Sequence, residues 1–123
     1  MKYIPIIKPD CRVEIIEAEE MPELDVLQEL VDGYIETVSL KGRDDYIGIV
    51  NEEGKLRGLD FNLPATHIVD YDSIAGNMLI LKVDGEDLIA FDTENPTDTE
   101  VCEVIEDICR MAIKMICDCD IDT

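Results

Sequence analysis

Two apolar runs, Asn77-Met78-Leu79-Ile80-Leu81-Lys82-Val83 and Leu88-Ile89-Ala90-Phe91, are separated only by Asp84-Gly85-Glu86-Asp87. An Asp-Gly pair supplies the positive φ that a tight hairpin turn requires, and apolar runs this short are of strand length rather than helix length. The pattern predicts an antiparallel hairpin and commits this part of the chain to a sheet.

The same grammar recurs upstream. Residues 3–8 form a short apolar run, Lys8-Pro9-Asp10 is a turn signal, and Cys11-Arg12-Val13-Glu14-Ile15-Ile16 alternates, so a second hairpin is expected at the start. Residues 34–40 and 46–50 are β-type runs on either side of the polar Lys41-Gly42-Arg43-Asp44-Asp45, and are expected to lie side by side and antiparallel. Between these hairpins, Leu24, Leu27, Leu30 and Val31 fall at helical spacing, with Pro22 before them and Gly33 after, which predicts a short amphipathic helix over 22–32. Asn51-Glu52-Glu53-Gly54-Lys55 reads as a turn with Gly54 at positive φ, and residues 56–66, which hold Pro64, read as an irregular loop suited to binding.

A different signal follows. Thr97-Asp98-Thr99-Glu100 has the form of a capping box, and beyond it Val101, Val104, Ile105, Ile108, Met111, Ala112, Met115 and Ile116 share one side of a helix expected over 98–117. Cys102, Cys109 and Ile113 widen that side to an arc of about 200°, against the stripe of roughly 100° that one sheet face covers. A second subunit is the expected occupant of the surplus. The sequence therefore predicts an α+β fold in a single domain over 1–123. It comprises a mainly antiparallel sheet-rich core over 1–92 with one short helix, and a long C-terminal amphipathic helix that makes a homo-oligomer.

Charge narrows the partners. Thirty acidic side chains against ten basic ones give a net charge of −20, while 46% of the residues are apolar, too many for a disordered acidic tail. Such a domain repels polyanions at long range, and four Tyr, two Phe and no Trp offer few stacking platforms, so direct nucleic-acid binding is not expected. No apolar run approaches the roughly 18 residues of a membrane span and the first residues lack a signal-peptide pattern, which predicts a cytoplasmic protein without membrane contact.

No catalytic constellation is visible. His67 is the sole imidazole and reads as a hydrogen-bonded structural histidine. Asp44-Asp45, Glu52-Glu53, Asp70-x-Asp72 and Glu86-Asp87 read as solvated turns, as expected of a chain this acidic. The five cysteines are an odd set that reads as buried thiols, and Cys117-x-Cys119 is too closely spaced for a zinc knuckle, so neither a metal nor a cofactor is expected. Phosphate-loop motifs are lacking. Gly54-Lys55-Leu56-Arg57-Gly58 fits a charged turn and also, through its glycines and two cations, a cradle for a phosphate. Arg110 lies four residues after Glu106, which fits a surface ion pair or, beside a partner's loop, an anion contact.

Several blocks occur in a recognisable order: Leu27-Gln28-Glu29-Leu30-Val31-Asp32-Gly33-Tyr34-Ile35-Glu36, Asn51-Glu52-Glu53-Gly54-Lys55-Leu56-Arg57-Gly58-Leu59, Asn62, Ala65-Thr66, and Gly76-Asn77-Met78-Leu79-Ile80. Over roughly residues 24–92 this succession resembles a family of small domains of unknown function found in phages, plasmids and gut Firmicutes. Asp32 stands where that pattern has the first Gly of a pair, and Asp60 where it has Pro. The resemblance implies a mobile-element role and supplies no catalytic residues. Taken with the charge, it leads to an expected non-enzymatic phage or prophage anti-defence protein that sequesters a small, anionic, nucleotide-derived immune signal at a subunit interface. Asn51, Lys55, Arg57, Asn62 and Thr66 would line the pocket, and Arg110 or Lys114 of a neighbouring subunit would reach the phosphates. The alternative expectation is an acidic, DNA-mimic-like inhibitor of a basic host defence protein.

Overall fold

A computed structural model describes residues 2–10, 12–41, 43–69 and 73–92. In chain order the elements are β1 (Lys2–Ile7), β2 (Val13–Ala18), α1 (Leu24–Val31), β3 (Ile35–Leu40), β4 (Arg43–Asn51), α2 (Leu63–Ile68), β5 (Met78–Asp84), β6 (Asp87–Ile89) and β7 (Phe91–Asp92). The strands form one antiparallel sheet of order β2-β1-β5-β4-β3. The segment that follows β5 turns back at Gly85 (φ 63°). It is shared between two neighbours, β6 pairing with the second half of β5 and β7 with the start of β1.

Both faces of the sheet are covered, and the side-chain period of two sorts each strand between them. Tyr3, Ile7, Tyr46, Val50, Met78, Ile80 and Phe91 lie on one face, with Ala65 of α2 and Val69 just after it packed over them. Ile4, Ile6, Ile49, Leu79 and Leu81 lie on the other, beneath Leu27 and Val31 of α1. Burial on both sides is why β5 reads as a continuous apolar run rather than as an alternation. Phe91 is stacked between Tyr3 and Tyr46, at ring-centroid distances of 5.5 and 5.7 Å. Gly48 lies on the same face. A Cβ there would sit 2.7 Å from Met78 Sδ and 2.8 Å from a Val38 methyl, so β4 carries no side chain at that point.

The three predicted strand pairings form, β1 with β2, β3 with β4 and β5 with β6. The expected one-helix core with a long C-terminal helix is corrected: the fold among the described residues is mostly antiparallel sheet with two short helices. The second, α2, stands at the end of what read as an irregular loop. Asn62 caps it and Pro64 occupies its first turn, where a missing N–H costs nothing, but six residues are too few to show a helical period. The predicted helix over 98–117 and its role in assembly lie outside the described residues, as do all five cysteines.

Candidate functional site

The segment from Asn51 to Asn62 is a long crossing rich in polar residues, and two buried asparagines anchor its ends. Asn51, the last residue of β4, is 5% exposed. Its amide nitrogen donates to the carbonyls of Val31 (3.0 Å) and Asp32 (2.9 Å), and its oxygen accepts from the Glu53 N–H (2.7 Å). Asn62 is fully buried; its nitrogen donates to the carbonyls of Ile7 (2.9 Å) and Gly76 (2.8 Å), and its oxygen accepts from Ala65 N–H (3.0 Å). One amide thus ties the end of α1 to the end of β4, and the other ties β1, α2 and the approach to β5 together.

Between these anchors the chain winds through a compact turn. Arg57 N–H donates to Glu53 O (2.9 Å) and Leu59 N–H to Gly54 O (3.0 Å). Gly54 is not at positive φ, contrary to the expectation; its hydrogen atoms allow close approach, because a Cβ there would lie 2.7 Å from the Ala75 carbonyl. Within this turn the left-handed position is taken by Gly58 (φ 71°). Asp32 (φ 63°, ψ 40°) is also left-handed and closes α1, with Asp32 N–H on Glu29 O and Gly33 N–H on Gln28 O, a Schellman arrangement. Arg57 clamps this cap. Nη1 donates to the Asp32 carbonyl and Nη2 lies 3.4 Å from the Asp32 carboxylate. A Cβ on Gly33 would collide with both the Asn51 amide (2.6 Å) and Arg57 Nη1 (2.9 Å), so a bare backbone at 33 is what lets the two side chains converge.

Three clefts ring this segment. The first, of about 320 Å³, lies among Glu36, Asn51, Glu52, Glu53, Lys55, Leu56 and the stretch 73–75. The second, of about 420 Å³, adjoins it through Asn51 and Glu53 and is bounded by Gln28, Gly33, Tyr34 and Arg57. The third, of about 370 Å³, is lined by Lys8, Asp10, Arg12, Leu59, Asp60 and Asn77 among others. On its rim the Asp10 carboxyl is held below its ordinary value: desolvation acts upward, but hydrogen bonds from the Arg12 side chain and backbone and the Arg12 charge outweigh it.

The residues predicted to form a pocket therefore divide. Asn51, Lys55 and Arg57 come together on the two adjoining clefts. Asn62 and Thr66 lie beneath the segment instead; Thr66 Oγ1 accepts the Ile74 N–H (2.8 Å), and neither residue lines these clefts. Arg110 and Lys114 lie outside the described residues. Among the described residues no buried side-chain nitrogen or oxygen lacks a hydrogen-bond partner, so the buried polar groups are absorbed by the fold. Sequence reasoning passed over Asp32, Gly33 and Tyr34 as site residues. The one signal that bears on them is the departure at Asp32 from the Gly of the resembling pattern, and the carboxylate that replaces it is the group Arg57 meets.

Three cations elsewhere are similarly engaged: Lys2 with Asp92 (2.9 Å), Lys8 with Glu14 (2.6 Å) and Arg12 with Asp10 (2.5 Å). No helix among the described residues is long and apolar enough to cross a membrane. A family model, Domain of unknown function (DUF3846), matches residues 1–101. No curated protein and no solved structure matches the chain.

Proposed function

The chain belongs to the DUF3846 family of domains of unknown function, and we propose that it is a non-enzymatic binding domain whose acidic surface engages a basic surface of a partner protein. The observation that carries this reading is the distribution of charge. Thirty carboxylates face ten cations, and Lys2, Lys8, Arg12 and Arg57 are each held against a carboxylate of their own surface. Among the described residues every Asp and Glu other than the half-buried Asp92 is exposed, a surplus of negative charge that steers encounter with a positive patch and repels other polyanions. In the mobile-element setting that the sequence resemblance implies, the fitting partner is a host defence nuclease, because its DNA channel is basic and the carboxylates would occupy it in place of phosphates.

The test is inhibition of DNA cleavage by a panel of restriction and CRISPR nucleases, read between about 50 and 200 mM salt. Saturable inhibition that weakens steeply with salt supports the proposal. Failure to bind any basic nuclease at the low end refutes it.

A second reading, sequestration of a nucleotide-derived signal, is favoured by one observation: the two adjoining clefts carry Lys55 and Arg57 respectively, with Tyr34 beside Arg57. It requires Arg57 to exchange Asp32 for the ligand. Recovery of intact nucleotide after incubation with a cyclic-nucleotide panel and heat denaturation would replace the first reading with this one, and Arg57→Ala would then abolish recovery.

A further inference from the structure

The two clefts that meet at Asn51 and Glu53 carry between them the most exposed large apolar side chains of the described chain. Tyr34 is 70% exposed on one and Leu56 89% exposed on the other. A third, Phe61, is 56% exposed and is bridged through its backbone to Ala75, which lines the first cleft. Single exposed apolar residues are ordinary on a protein surface, but here Leu56 and Tyr34 line two clefts that share Asn51 and Glu53. The polar groups around them are mostly of one sign. Glu36, Glu52 and Glu53 line the first cleft with Lys55, and Glu53 also borders the second, where Arg57 is held by Asp32.

We propose that this face is the docking surface for a basic, partly apolar segment of a protein partner. It would take a lysine or arginine side chain beside Glu36, Glu52 and Glu53, and adjacent apolar residues against Leu56 and Tyr34. Charge complementarity selects this occupant. An acidic or phosphate-bearing segment would meet three carboxylates against one lysine at the first cleft, and a purely apolar one would bury those carboxylates with only Lys55 as counter-charge. The Tyr34 ring additionally offers a face to a guanidinium or ammonium. The placement is rigid on its inner side, because the Asn51 amide and the Arg57 clamp fix the backbone between the clefts. This inference rests on the reading of the domain as a binder of basic proteins and adds where and by what chemistry the partner is held.

Two peptides of equal positive charge separate the two claims: an oligolysine, and a peptide in which lysine alternates with leucine. The domain is expected to bind the alternating peptide roughly tenfold more tightly, the equivalent of one well-buried aliphatic contact. The double variant Tyr34→Ser/Leu56→Ser should reduce that preference to near parity while leaving oligolysine binding in place. The variant Leu24→Ser/Val26→Ser, on the exposed side of α1, should keep the preference. Amide shift changes in the wild-type protein should centre on residues 34–36, 52–56 and 73–75. Equal binding of the two peptides, a preference that survives Tyr34→Ser/Leu56→Ser, or shift changes centred on β2 or α1 would overturn the docking face while oligolysine binding still upheld the acidic-binder reading. If neither peptide binds at low salt, both fall together.

Discussion

Replacing Asn62 by alanine separates a ligand-binding residue from an architectural one. The side chain is fully buried and makes three hydrogen bonds, to the carbonyls of Ile7 and Gly76 and from the Ala65 N–H. Alanine removes the α2 cap, which costs about 1 kcal/mol, and takes a donor from each of two carbonyls, about 1 to 2 kcal/mol apiece, so the sum is about 3 to 5 kcal/mol. Against the 5 to 15 kcal/mol that typically holds a domain folded, this is a large fraction. Urea titration followed by circular dichroism should show the midpoint falling with little change in slope. Asn62→Ser retains a capping oxygen without the reach to either carbonyl and should recover about 1 kcal/mol relative to alanine. Asn62→Asp caps but turns a carboxylate toward two carbonyls in a dry site. Those neighbours raise the carboxyl pKa in the folded state, so the penalty is full at neutral pH and shrinks as pH falls through that raised value. A cost below about 1 kcal/mol for alanine, or a serine variant no better than alanine, would refute the claim that Asn62 ties β1, α2 and the approach to β5 together.

Three further outcomes follow from other contacts. Gly48→Ala should destabilise by about 1 to 3 kcal/mol in the same titration, because the added methyl meets Met78 Sδ at 2.7 Å and Val38 at 2.8 Å in a face with no slack. Asp32→Gly should stabilise by about 0.5 to 1 kcal/mol in thermal unfolding: it relieves the left-handed conformation at φ 63°, while the backbone carbonyl that accepts from Arg57 survives the change. Asp10 should titrate by carboxyl NMR with a midpoint below 3.8; its lowered value means that the Asp10–Arg12 contact supports the first hairpin above that range and is lost as pH falls through the midpoint.

The hairpins were legible because their signals are local. Asp84-Gly85 announces a turn through the backbone freedom of its glycine, and Gly85 takes the expected positive φ. The helix over 22–32 was legible from the spacing of Leu24, Leu27, Leu30 and Val31, and it forms over Leu24–Val31. Gly33 was read as its terminator, but Asp32 takes the left-handed position, since a short polar side chain tolerates it and Arg57 answers the carboxylate. The helix α2 was missed, although Asn62 and Pro64 together are a start signal, because it stops before any repeat can appear.

The candidate site was only half legible. Glycine, lysine and arginine in the 54–58 turn marked a segment that the structure places along two adjoining clefts, since polar crossings between strands run over the surface. Which of its polar residues face outward was not readable. An asparagine that caps a helix and one that awaits a ligand have the same chemistry, and only the carbonyls brought to 2.8 and 2.9 Å from Asn62 distinguish them.

Sequence by itself determined the strand pairings that turns enforce, the short amphipathic helix and the surplus of negative charge, all of which depend on neighbours along the chain. Tertiary structure alone decided the sheet order, which puts β1 beside β5. It also set the split of the core onto two faces, the use of Asn51 and Asn62 as internal ties, and the meeting of Tyr34 and Leu56 on adjoining clefts. Those outcomes depend on contacts between residues tens of positions apart, as in the link from Asn62 to Ile7, where burial and hydrogen-bond satisfaction are settled by the whole fold at once.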